Sequence, residues 1–156
     1  MIHVEDTFAF VLGNWALTRT IDDQRSGNCG RFEGTSSVVE LQVRGHLDAR
    51  RASYEEAGEL AFGPHVGPAH RHLDYVRRGD AAVMIYFGDG RPYLDLDLTA
   101  GEWRAEHVCG EDLYEIVTVV RSHNLVEERW RATGPTTAYT ALATLRRTMP
   151  FTLDLS

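Results

Sequence analysis

The sequence predicts an all-β protein, an antiparallel up-and-down barrel of about ten strands with a short helical turn at its N-terminus. Three observations support this prediction. Apolar and polar residues alternate with a period of two over most of the chain, turn-forming residues recur at regular intervals, and no long segment has the helical period. Strands joined by tight turns are typical of a meander, and a barrel of about eight to ten strands can enclose one small ligand.

The chain begins with a short apolar run, Phe8 to Leu12, that predicts a single helical turn. Asp6 and Thr7 precede the run, and both are residue types that cap helices. We expect this turn to close one end of the barrel.

The segments that follow alternate in the way that strands do. The predicted strands are residues 15–22, 31–41, 50–62, 69–77, 81–87, 93–98, 102–109, 114–120, 124–133 and 137–148. The stretch from Gly63 to Pro68 is predicted to be a loop, because it is rich in turn-forming residues. Gly34, on an inward face, indicates a bend or a close approach between strands.

Alternation also assigns side chains to the two faces of each strand. In the strand over 93–98 it places Leu94 and Leu96 inside and Tyr93 outside. In the strand over 102–109 it places His107 and Cys109 inside, so that a histidine points into the interior. We expect Cys109 to be a small core residue.

Composition excludes several functions. The 156 residues suit one domain, which we assign to residues 1–156. A formal net charge of −7 argues against a nucleic-acid partner, which would need clustered basic residues. All 16 basic residues are Arg, so the chain has no Lys for Schiff-base chemistry.

The chain also lacks membrane and secretion signals. There is no apolar stretch of about 18 residues and no signal peptide. We therefore expect a cytoplasmic protein without a membrane partner, in which Cys29 and Cys109 are reduced thiols. A homodimer is compatible with an acidic barrel of this size but is not established. The apolar segment 149–156 is expected to pack on the barrel or on a partner.

The two ends of the predicted barrel sequence resemble those of the lipocalin-like proteins of the calycin group. Gly13 and Trp15 enter the first strand, and Arg146 and Arg147 end the last one. The resemblance implies that Trp15 packs at a closed end beneath one of the two arginines, and it leaves open which one. A guanidinium over an indole gains about 0.5 to 2 kcal/mol.

A longer series of motifs resembles a family of small bacterial proteins of unknown function with a lipocalin-like fold. The series is Leu12-Gly13-x-Trp15-x3-Arg19, Tyr54-x-Glu56-x-Gly58, Phe87-x-Asp89-Gly90-Arg91, His107-x-Cys109-x2-Asp112-x-Tyr114, Trp130, Gly134-Pro135, Tyr139 and Arg146-Arg147. The resemblance implies the barrel and a cavity but no activity. Some ten-stranded barrels of this kind hold haem through a His near the last strand. Since no His follows His123 here, we expect no cofactor.

The predicted cavity lining combines aromatic and ionisable residues on inward faces. The predicted ligand-binding residues are Arg19, Glu56, Tyr75, His107, Tyr114, Trp130 and Tyr139, with Glu128 as a further candidate. Burying Arg19 or Glu56 alone is costly, so we expect them to pair with each other, with tyrosine hydroxyls or with a ligand. The alternative is an internal ion-pair network that only fixes the sheet register. His107 is either an acid/base or ligand donor, or a buried histidine satisfied by a neighbour.

A second group of ionisable residues lies on the strand over 69–77. His70, His72 and Asp74 share a face, and His65 lies in the preceding loop. Imidazole and carboxylate groups in this arrangement suit a first-row metal ion. We predict no metal site, because the opposite face carries the apolar core set and the histidines then face solvent. The sequence does not settle whether they bind a metal.

These patterns favour the binding of a small, partly polar or aromatic organic molecule in the barrel interior, by a carrier or sensor. The alternative is a cofactor-independent enzyme of the isomerase, cyclase or decarboxylase type. In it, His107 and Tyr114 exchange protons with the substrate while Arg19 holds its anion. A protein-interaction module working through an outer sheet face is a third hypothesis. Neither a ligand nor a reaction is identified by the sequence.

Overall fold

The computed structural model describes residues 1–42 and 50–148. One helix, α1 (Thr7–Val11), is followed by ten strands. The strands are β1 (Gly13–Asp23), β2 (Cys29–Glu40), β3 (Arg51–Phe62), β4 (His65–Arg78), β5 (Ala82–Phe87), β6 (Pro92–Leu96), β7 (Glu102–Cys109), β8 (Asp112–Ser122), β9 (Leu125–Thr133) and β10 (Ala138–Arg147). Residues 149–156 lie outside the described residues, so the packing expected for them stays a prediction.

The strands form one antiparallel sheet in the order β6-β5-β4-β3-β2-β1-β10-β9-β8-β7. All neighbours except β1 and β10 are consecutive in the chain, as in the predicted meander. The two end strands meet where Trp103 Nε1 donates a hydrogen bond to the Asp95 carbonyl at 2.9 Å, but no ladder joins them in the described ranges. The sheet is therefore a nearly closed barrel, and the predicted fold class is confirmed.

Helix α1 covers the end of the barrel at which β1 begins. Asp6 caps the helix as predicted, because its carboxylate accepts a hydrogen bond from Ala9 N at 3.3 Å. Phe8 is completely buried against the core. Within the described part of the chain, no helix is long and apolar enough to cross a lipid bilayer.

Arg147 completes the closed end. Its guanidinium carbon lies 4.2 Å from the centroid of the Trp15 ring. The same group donates hydrogen bonds to the carbonyls of Leu12 at 2.9 Å and Phe10 at 2.8 Å. Arg146 is exposed, so Arg147 is the arginine that covers Trp15.

Replacing Arg147 by Ala is expected to lower the free energy of unfolding by about 2 to 3 kcal/mol. The substitution removes the stacking on Trp15 and leaves three carbonyls, those of Phe10, Leu12 and His123, without their charged donor. Urea unfolding measures the loss, and Arg146→Ala is the matched control, with an expected change within about 0.5 kcal/mol. Equal losses in the two variants would contradict this account of the closed end.

The close approach predicted from Gly34 is confirmed. Gly34 on β2 lies opposite Gly58 on β3. A Cβ atom added at Gly34 would lie 2.7 Å from Gly58 Cα, which is closer than real Cβ atoms come to backbone. The two strands therefore cross closely at a point where neither can carry a side chain.

The turn after β3 is shorter than predicted. It consists of Gly63 and Pro64, and β4 already begins at His65, so the predicted loop up to Pro68 was too long. Pro68 is tolerated within the strand because β5 pairs only with the part of β4 from Leu73 onward. The missing N–H of a proline matters little along such an edge.

One assignment of a side chain to a face was wrong, and so was one expectation of burial. Tyr93 was placed outside but is 9% exposed, because the register between β5 and β6 shifts next to Ile85 and both Tyr93 and Leu94 become buried. A bulge of this kind re-aims a side chain. Cys109 was placed in the core but is exposed, because β7 ends there at the rim of the barrel. Both cysteines are free thiols, as expected.

Candidate functional site

The end of the barrel opposite α1 holds two adjoining cavities, here called the first lobe and the second lobe. Their volumes are about 340 Å³ and about 260 Å³. The lobes share Arg71, Trp130 and Tyr139. The remaining walls are Arg19, Ile21, Asp23, Phe62 and Ala141 in the first lobe, and Phe87, Tyr93, His107, Cys109 and Tyr114 in the second.

Beneath the lobes the interior is filled by side chains. The spaces left there measure about 50 Å³ each, far less than the roughly 300 Å³ at which small-molecule pockets begin. Tyr54 and Tyr75 stack in this region with ring centroids 5.6 Å apart. In the part of the interior that the described residues enclose, the space large enough for an organic ligand lies in the open half of the barrel.

The pairing predicted for Arg19 and Glu56 is confirmed. Arg19 Nη1 and Nη2 donate to the two carboxylate oxygens of Glu56 at 3.1 and 3.0 Å, and Tyr54 OH donates to Glu56 Oε1 at 2.7 Å. Burial, the largest single effect, raises the pKa of Glu56, but the hydrogen bond and charge of Arg19, the hydrogen bond from Tyr54 and the charge of Arg71 together hold that pKa below its usual value. The charge of Arg19 is thus already balanced by a protein carboxylate.

Arg71, at the junction of the lobes, was missed by the sequence analysis. Its guanidinium carbon lies 5.2 Å from the centroid of the Tyr93 ring and 5.7 Å from that of Trp130. Among the described residues, no carboxylate oxygen lies within 4.0 Å of it. The signal was available, since the alternation of β4 places Arg71 on the same face as Leu73 and Tyr75.

His107 lies in the wall of the second lobe among aromatic rings. Its ring is edge-on to Phe87 at 5.6 Å and to Tyr93 at 5.2 Å, measured between centroids. Tyr114, its cross-strand partner on β8, is 6.1 Å away. No hydrogen bond to the His107 ring is found within residues 1–42 and 50–148, so the interpretation of a histidine satisfied by a neighbour is not supported.

The other predicted cavity residues separate by depth. Arg19, Tyr114, Trp130 and Tyr139 line the lobes with His107. Glu56 is buried and lines neither lobe, but it lies opposite Arg71 in the sheet. Tyr75 is buried and borders a small space beneath the lobes. Glu128 also lies below and accepts a hydrogen bond from Trp130 Nε1 at 3.1 Å. Burial raises the pKa of Tyr93 to about 12, so this wall of the second lobe carries a neutral phenol.

The histidines of β4 lie on the outer face, as expected. His70 Nε2 lies 2.7 Å from Glu55 Oε2, and the ring of His72 bridges Glu55 at 2.6 Å and Asp74 at 2.9 Å. His65 is exposed at the start of the strand. In the described ranges, no group of three or more His, Cys, Asp or Glu side chains is placed to hold a metal ion.

His72 is expected to titrate above the ordinary histidine pKa of about 6.5. The hydrogen bond to Glu55 raises its pKa most, and Asp74 adds to the effect. The stability contributed by this cluster should be fully present below the unfolded pKa and lost as pH rises through the folded one. It should be small, since 34% of the side chain is exposed. An NMR titration measures the pKa, and Glu55→Gln should lower it; an unchanged pKa in that variant would contradict the assignment.

A ten-stranded antiparallel meander with one end closed by a helix and a Trp–Arg stack, and with a lined cavity at the other end, defines a lipocalin-like barrel. The chain belongs to a family of unknown function, DUF6314, whose sequence profile matches residues 11–147. The predicted membership of a family of unknown function with a lipocalin-like fold is thereby confirmed. No functionally curated protein matches the chain.

Solved structures share the architecture. An S-type phycobiliprotein lyase, CPES from Guillardia theta, superposes with a TM-score of 0.67 at 10% sequence identity, covering 96% of this chain and 95% of that one. A de novo designed fluorescence-activating β-barrel matches with a TM-score of 0.46 at 15% identity, covering 95% of this chain and 100% of the designed one. At 10% identity, the similarity to the lyase shows a shared fold and nothing more. The TM-score of the designed barrel is below 0.5, so nothing is concluded from that similarity.

Proposed function

We propose that the protein binds a small, partly polar or aromatic organic molecule in the two lobes at the open end of the barrel. The supporting observation is a solvent-connected cavity of ligand size in an otherwise filled barrel. Small-molecule sites have volumes of about 300 to 1,000 Å³ and mostly apolar walls with a few convergent polar groups.

The walls of the lobes have this composition. Phe62, Phe87 and Trp130 offer flat apolar surface, while Arg71 and His107 offer polar contacts. Aromatic walls favour rings placed edge-on or in offset stacks against them. A flat molecule with at least one polar group therefore fits the cavity best.

Filling the first lobe is expected to weaken ligand binding. Ala141 is 4% exposed and lines that lobe, whereas Thr140, the preceding residue on β10, is exposed on the outer face. Ala141→Trp should bind the dye 8-anilinonaphthalene-1-sulfonate at least about tenfold more weakly than the wild type, because the indole occupies the ligand's space. Thr140→Trp is the matched control and should bind as the wild type does.

Dye fluorescence titrations measure both affinities, with circular dichroism to show that the variants are folded. Equal affinity of the two variants would place the dye outside the lobes and contradict the proposal. If the dye binds neither the wild type nor Thr140→Trp, the proposal is contradicted as well.

An enzyme of the isomerase, cyclase or decarboxylase type is the second candidate. The observation in its favour is that His107 and Tyr114 face the same lobe from neighbouring strands. Arg19 is held by Glu56, so the anion-holding role assigned to Arg19 passes to Arg71 in this mechanism. If His107→Ala abolishes turnover of a metabolite but leaves its affinity nearly intact, the enzyme is supported; loss of affinity alone supports a carrier.

A further inference from the structure

Two arginines reach the lobes, and they differ in how their charges are balanced. Arg19 is held by Glu56 through two hydrogen bonds. Arg71 has no carboxylate within 4.0 Å among the described residues and lies instead over the rings of Tyr93 and Trp130. The junction of the two lobes therefore carries a cation that no carboxylate among the described residues contacts directly, although the charge of Glu56, opposite it on β3, acts on it from a distance.

The acidic side chains near Arg71 already accept hydrogen bonds from other groups. Glu56, opposite Arg71 on β3, accepts two from Arg19 and acts on Arg71 only through its charge. Glu128 accepts the hydrogen bond from Trp130 Nε1. Asp23, at the rim of the first lobe, accepts hydrogen bonds from Arg25 N at 3.0 Å and Ser26 Oγ at 2.9 Å. These contacts leave the N–H donors of Arg71 without a carboxylate in direct contact among the described residues, a position that a bound anion can take.

The energetics favour such a counter-ion. Stacking of a guanidinium on aromatic rings is a weak interaction, whereas taking a cation even partly out of water carries a larger cost. The stacking alone does not offset that cost. An anion at the junction would offset it, and its effect would be larger than at an exposed surface because the local dielectric is low.

The geometry also selects the kind of anion. A stacked guanidinium keeps its N–H donors along its edge, and this planar fork matches the two oxygens of a carboxylate. Trp130 and Tyr139 line both lobes beside Arg71, so a ring system attached to the carboxylate would lie against them.

We propose that the molecule bound in the lobes is an aromatic or conjugated carboxylic acid whose carboxylate pairs with Arg71 at the junction. This inference rests on the proposed function and narrows it from a small organic molecule to an organic anion. Arg71 is the residue that determines specificity, and the aromatic walls supply the remaining affinity.

Matched pairs of acids and amides test the inference by isothermal titration calorimetry near pH 7. The pairs are benzoate and benzamide, cinnamate and cinnamamide, and 2-naphthoate and 2-naphthamide. In the wild type, at least one acid is expected to bind about tenfold or more tightly than its amide, because only the acid forms charge-assisted hydrogen bonds. In Arg71→Met, this preference should fall to within about twofold. Arg104→Met changes an exposed arginine on the outer face of β7 and should keep the preference.

The outcomes separate the inference from the proposed function. If acids and amides bind the wild type equally, the inference is overturned while the cavity remains a binding site. If the preference for acids survives in Arg71→Met, Arg71 is not its source and the inference also fails. Binding of no compound in any pair would contradict both. The comparison within the wild type decides the question even if Arg71→Met does not fold.

Discussion

Replacing Arg19 by Met is expected to lower the free energy of unfolding by about 3 to 5 kcal/mol. The substitution leaves the Glu56 carboxylate, which is 4% exposed, without its hydrogen-bonded cation, and removing one partner of a buried ion pair is strongly destabilising. Tyr54 OH would remain as a hydrogen-bond donor to Glu56 but carries no charge. Urea unfolding at pH 7 measures the loss.

Two controls separate burial from the loss of an arginine. Arg31→Met breaks the exposed pair with Glu33 and should change the free energy of unfolding by less than about 1 kcal/mol. The double variant Arg19→Met/Glu56→Leu should recover most of the loss, because it removes both charges. If Arg19→Met costs no more than Arg31→Met, the buried pair is not a major element of stability.

The ion pair between Arg19 and Glu56 also makes the free energy of unfolding depend on pH in the acid range. The folded pKa of Glu56 is below its unfolded value, so its contribution is fully present above the unfolded pKa of about 4.3 and is lost as pH falls through the folded pKa. The wild type should therefore lose stability over that range more steeply than the double variant does.

Gly34→Ala is expected to have a comparable effect, with a loss above about 3 kcal/mol or no folded protein. The new Cβ would meet the Ala57 carbonyl and Gly58 Cα, and backbone atoms cannot turn away as a side chain can. Gly67→Ala on β4 is the matched control, since its Cβ would meet the His65 ring at 3.4 Å, an ordinary contact. Thermal unfolding compares the two; a Gly34→Ala variant as stable as Gly67→Ala would show that the strands can separate.

Much of the fold follows from local patterns. Alternation identified the ten strands, and the residue types at Asp6 and Thr7 identified the helical turn. The pairing of Arg19 with Glu56 followed from the cost of burying either charge alone. Tyr93 was assigned to the wrong face because the bulge that shifts the register between β5 and β6 has no local sequence signal. Pro68 was assigned to a loop because a strand accepts a proline only where no neighbouring strand needs its N–H, and the sequence does not show where β5 ends.

The sequence predicted the candidate site less completely than the fold, and the reason is geometric. Alternation assigns a side chain to a face but not to a depth, which depends on the stagger of neighbouring strands. Tyr75 therefore points inward yet lies below the lobes, while Tyr139 lines both of them. Arg71 was on a predicted inward face, but which carboxylates contact it directly is a tertiary property.

Native mass spectrometry of the freshly purified protein tests the central claim, a cavity that holds a small organic molecule, most directly. We expect wild type and Thr140→Trp to carry a co-purified mass that gentle activation releases, and Ala141→Trp to lack it. A wild type that shows only the bare polypeptide mass, or an adduct that persists equally in Ala141→Trp, would contradict the assignment of the lobes as the binding site.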